Sequence, residues 1–119
     1  MENEINSITK GIYNDDILRR LTDDNVDEIM STIKEFISNT ASQIQSLKTA
    51  VFYENRLEVS FFAHLIKVAS EKIGAVALYL KSSLLENAAN KKDFDFLKSV
   101  VKELERSLDM FDKIVKKSF

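Results

Sequence analysis

The chain has no cysteine, no proline and no tryptophan, and only two glycines and one histidine in 119 residues. Each shortage excludes something. Without cysteine there is no disulfide scaffold, no thiolate nucleophile and no thiolate zinc site, which fits a reducing compartment. Without proline, and with so few glycines, the chain lacks the turn residues that a β-sandwich or barrel needs. A single histidine cannot assemble a His-rich metal site. Charge of one sign is also lacking. The balance is 17 Lys and Arg against 19 Asp and Glu, a net charge of −2, so no broad basic stripe invites nucleic acid. No apolar run approaches the ~20 residues of a membrane span. The opening stretch MENEINSITK is too polar and acidic to read as a secretory signal. These exclusions leave the expectation of a soluble, cytoplasmic, all-helical protein with neither nucleic acid nor membrane as partner. The length fits one domain over residues 1–119. At that size about two thirds of the unfolded surface is buried on folding, enough for a core.

What is present is helical periodicity. There is no internal repeat and no low-complexity tract. Punctuation falls at Gly11, at Thr22 to Asn25, at Tyr53 to Asn55, at Gly74 and over residues 87–93. Residues 1–22 carry Ile5, Ile8, Ile12, Ile17, Leu18 and Leu21, and read as one or two short helices forming an N-terminal lid. The long stripe Val26, Ile29, Met30, Ile33, Ile37, Ile44, Leu47 and Val51 predicts a helix with its N-cap around Asp23 to Asn25. Further helices are expected from about Asn55 to Ile73 and from about Ala75 to Ala88. The last starts near Asp93 with Phe94, Leu97, Val101, Leu104, Leu108, Phe111 and Val115, an unbroken heptad stripe.

Short links make neighbouring helices antiparallel. The expected architecture is therefore an up-down-up-down four-helix bundle over 23–119, with the 1–22 segment added. An intermolecular coiled coil on the heptad stripe is the competing reading. The other helices have equally wide apolar faces that need covering, which favours the bundle and a monomer.

His64 can be placed on its helix by arithmetic. At about 100° per residue, with His64 at zero, Ala69, Phe62, Ile73, Ile66 and Val59 all fall between about 140° and 220° and define the core direction. His64 points the other way, towards solvent. Leu57, Val68 and Phe61 lie within about 60° of it, and Ser60 and Lys67 are a turn away. Three apolar side chains around an outward imidazole suggest a docking surface. Lys67 sits one turn on, close to anything attached to the ring. The bland alternative is an ordinary surface His beside an ordinary surface Lys.

Hairpin geometry adds one residue. His64 lies 11 residues before Ala75 and Glu86 lies 11 after it, so each is about 16 Å from the turn and the two share a height. Glu86 becomes a candidate to accept a hydrogen bond from one ring nitrogen, leaving the other as nucleophile. An exposed helix-end Glu is the competing reading.

The stretch Ala63-His64-Leu65-Ile66-Lys67-Val68-Ala69-Ser70, followed by Gly74-Ala75 and Leu85-Glu86, resembles the motif of the histidine phosphotransfer (HPt) family. That pattern has Ala-His, an apolar residue two after the His, Lys three after it, Gly-Ala ten and eleven after it, and Leu-Glu or Leu-Gln further on. The length and helix order of the whole chain are similar to a stand-alone HPt protein. The resemblance implies a relay of phosphoryl groups between the aspartates of response-regulator receiver domains, including those of hybrid sensor histidine kinases. It implies His64 as phosphoacceptor, Lys67 as the cation that stabilises the phosphoryl oxygens, and Glu86 as the residue that orients the imidazole. Leu57, Ser60, Phe61, Val68 and, from the first segment, Ile12 would dock the receiver. No cofactor is implied in this chain, because the Mg2+ of such relays is held by the receiver. The chain has no Gly-rich nucleotide loop, so a carrier without autokinase activity is expected.

One departure stands out. The family pattern has Gly four after the His, where this chain has Val68. On the wheel Val68 shares the His64 face, where a small residue lets the receiver approach. Three readings follow: a phosphorelay intermediate, a phosphotransfer-impaired module that binds or sequesters a receiver, and an oligomeric helical module in which His64 is incidental.

Overall fold

The computed structural model describes residues 16, 19, 20, 23 and 25–118. Residues 25–118 contain four helices: α1 (Val26–Phe52), α2 (Arg56–Ile73), α3 (Val76–Ala88) and α4 (Phe94–Ser118). There is no strand among the described residues. Ile12 and most of the expected 1–22 segment lie outside the described residues.

Local chemistry sets the helix ends. The Asn25 side chain accepts from Glu28 N at 3.0 Å, Asn55 accepts from Glu58 N at 3.1 Å, and Asp93 accepts from Phe96 N at 2.8 Å. Each occupies an orphan donor of the first turn. α2 stops at Gly74, whose φ of 80° is the left-handed conformation that glycine adopts without penalty. Ala75 N then donates to Ser70 O at 2.9 Å and Gly74 N to Glu71 O at 3.3 Å, a Schellman turn. α1 ends in the same pattern with a less suited residue: Glu54 takes the left-handed position at φ 56°.

The helices close a ring in which α1 packs on α2 and α4, and α3 packs on the same two. The core runs along the ring axis through Ile29, Ile33, Ile44 and Leu47 of α1, Val59, Ala63 and Ile66 of α2, Leu78 and Leu85 of α3, and Leu97, Leu104 and Phe111 of α4. Phe36 meets Phe111 edge to face at 5.3 Å. The heptad stripe is thus consumed inside the chain, with Leu97 to Val115 buried and Phe94 packed against the cluster. In α1 the expected face is shifted slightly. Phe36 and Thr40 complete it, Ile37 is only partly buried, and Val26, in the first turn, is exposed.

Candidate functional site

His64, Lys67 and Glu86 come together across the α2–α3 groove. The two helices are a hairpin pinned at the Gly74 turn, so residues equally far from that turn face each other. Nδ1 of His64 lies 2.8 Å from Oε2 of Glu86. Lys67 Nζ donates to the other carboxylate oxygen, Oε1, at 3.0 Å. One carboxylate therefore holds a ring and an ammonium at once.

Exposure is uneven in a way that matters. The His64 side chain is 54% exposed and Glu86 only 22%. The acceptor sits in the groove and the ring stands above it. A carboxylate only accepts, so Nδ1 carries the proton, and in the neutral ring Nε2 holds the lone pair. Burial pushes the Glu86 carboxyl up. Hydrogen bonds from Lys67 and His64, with their charge, outweigh that and hold it below the ordinary carboxylate range. The same hydrogen bond and charge lift the Lys67 ammonium above the usual lysine range.

The surroundings divide into apolar and half-covered positions. Leu57 is 80% exposed and Phe61 57%, two turns and one turn before His64 on the same helix. Phe61 leans edge to face on Phe62 at 5.2 Å. Phe62 is half-buried and packs against the core from its margin. Ser60 and Val68 are half-buried. Val68 is less open than the wheel suggests, and Ile12 is not described. A cleft of about 390 Å³ lined by Val51, Phe52, Phe94 and Val101 lies between α1 and α4, on the far side of the ring from His64.

One residue near the site escapes sequence reasoning. Arg56 opens α2 and reaches the α3–α4 connection, where its Nη1 donates to Ala89 O and to Lys92 O, both at 2.7 Å. Its guanidinium lies 4.3 Å from the centre of the Phe94 ring. The available signal was a misfit: a cation in a first helical turn opposes the helix dipole, so Arg56 had to be satisfied elsewhere.

No family model matches the sequence, and no curated protein matches it. The fold does have a likeness. The crystal structure of histidine-containing phosphotransfer protein B (HptB) from Pseudomonas aeruginosa PAO1 superposes with a TM-score of 0.81 at 22% identity. The match covers 89% of this chain and 92% of that one. The chain therefore has the all-α fold of a histidine phosphotransfer protein. No described helix is long and apolar enough to cross a membrane.

Proposed function

We propose that this protein is a phosphorelay intermediate that takes a phosphoryl group on His64 from a receiver-domain aspartate and passes it to another receiver. The observation that carries the reading is the His64–Glu86–Lys67 set: an exposed ring, held through Nδ1, with an ammonium one turn away. The fold of a phosphotransfer protein supports it.

The step balances simply. The Nε2 lone pair attacks phosphorus in line, the P–O bond to the aspartyl carboxylate breaks, and the carboxylate leaves with the electron pair. The ring gains positive charge as the N–P bond forms, and the Nδ1–H···Glu86 hydrogen bond strengthens with it. Lys67, kept in place by Glu86 Oε1 through one of its three N–H donors, turns another to the phosphoryl oxygens. This chain contributes a positioned nucleophile and one cation, and the receiver contributes the rest, including Mg2+. Leu57 and Phe61 are the apolar contact for a docked receiver. The carrier acts as a cytoplasmic monomer without autokinase activity.

A second reading, docking without transfer, draws on Val68, a branched side chain one turn from the imidazole. Incubation with phosphorylated receiver domains separates the two. The relay reading expects acid-labile, base-stable label on the chain, lost in His64→Gln while helical circular dichroism is kept. Label that survives His64→Gln overturns it. Stable receiver binding without label selects the second reading.

A further inference from the structure

We propose that Arg56 is a positioning residue for the His64–Glu86 pair, acting by locking the end of α3 onto the helix that carries His64. α3 ends without a cation or a glycine cap of its own. It has no basic residue in its last turn, and its C-cap, Ala89, is a residue in ordinary right-handed conformation rather than a left-handed glycine. At the negative end of its dipole Ala88 O accepts from Lys91 N and Lys92 N, both at 3.0 Å, whereas Ala89 O takes its hydrogen bond from Arg56. Glu86 sits in this weak final turn, and its own carbonyl receives only a long 3.4 Å bond from Ala89 N.

Arg56 supplies from α2 what α3 lacks. The guanidinium donates to Ala89 O, three residues past Glu86, and to Lys92 O, further along the connection, while stacking on Phe94 at the start of α4. Ala89 is fully buried, so its carbonyl has little access to water as a substitute partner. Arg56 and His64 share one continuous helix and are eight residues apart, about 12 Å. Besides their shared core packing, α2 and α3 are tied at the Gly74 turn and at the Arg56 contact, one towards each end of α3. His64, Lys67 and Glu86 all lie between them. Two joints fix both the height and the facing of α3 relative to α2. Without the Arg56 contact, the final turn of α3 is held to α2 by packing alone, and the 2.8 Å contact between Glu86 and the ring is the first to loosen.

This rests on the phosphotransfer reading only for its kinetic arm. The structural arm needs no phosphoryl donor. The ring 15N shifts of His64 in the full chain report which nitrogen carries the proton, at a pH where the ring is neutral. The parent chain is expected to show Nδ1 protonated. Arg56→Ala is expected to move the pattern towards a mixture of the two tautomers and to lower the rate of phosphoryl acceptance about ten- to a hundredfold, as displacement of a reacting group does. Arg56→Lys keeps a cation but loses the planar guanidinium that stacks on Phe94 while Nη1 reaches both carbonyls, and falls between. Val115→Ala, which opens the core near the other end of the bundle, controls for general loss of stability and leaves the ring shifts unchanged. If Arg56→Ala does not fold, Arg56→Lys decides. Parent-like ring shifts in whichever Arg56 variant is folded, or the same shift change in Val115→Ala, overturn the proposal. Altered shifts with no phosphoryl acceptance even by the parent chain sustain it and sink the phosphotransfer reading instead.

Discussion

Nδ1 of His64 and Oε2 of Glu86 stand 2.8 Å apart although 22 residues separate them in sequence. The remaining oxygen of Glu86 holds Lys67, so the three residues form a unit rather than two independent pairs. Lys67→Ala is expected to slow phosphoryl transfer by about ten- to a hundredfold, and Glu86→Ala by less. The double variant is expected to lose less than the product of the single losses, because Glu86 acts partly by holding Lys67. Single-turnover rates on the four proteins check this. Multiplicative losses would mean the two residues act separately.

The low Glu86 pKa makes a stability prediction with a definite sign. A carboxyl depressed in the folded state stabilises above its ordinary value of 4.5, and that contribution disappears as pH falls through the lower folded value. Denaturation of the parent chain and Glu86→Gln should differ at about pH 7 and converge at about pH 3. Glu103 is depressed by the hydrogen bond and charge of Lys81 on the α3–α4 side. Glu103→Gln should follow the same trend without affecting transfer.

Val68 offers a test of crowding. It lies one turn past His64 and is half-buried against its neighbours. Val68→Gly should raise the transfer rate while costing about 1 kcal/mol of stability, since glycine in a helix interior is unfavourable. Val68→Ala separates the effects, giving part of the rate gain with little helix penalty. Rates unchanged in both variants would remove Val68 as an obstacle.

Periodicity alone carried most of the fold. The helix from Asn55 to Ile73 and the Leu97–Val115 stripe were readable because their buried positions recur at helical spacing and their ends carry capping residues. The His64–Glu86 contact was readable for a related reason, since a short turn forces equal distances from Ala75 into register. Arg56 was not, because its partners are backbone carbonyls in a connection that has no periodic signal. Nor was the half-burial of Val68, which depends on how neighbouring side chains lean rather than on angle about the helix.

Glu54 stands in the left-handed position that ends α1, at φ 56°. A residue with a Cβ is strained there, and glycine is not. Glu54→Gly is expected to stabilise the protein by about 0.5–1 kcal/mol, part of the relief being offset by the added freedom of the unfolded chain. Urea denaturation measures it, with Glu54→Ala as a control that should give no gain.

The most direct test is to find where phosphorus attaches. After incubation with a phosphorylated receiver, a 31P–15N correlation spectrum of the 15N-labelled chain should couple phosphorus to Nε2 of His64, with Nδ1 still protonated and facing Glu86. Coupling to Nδ1, or a chain that never acquires phosphorus on His64 from any receiver, would contradict the account.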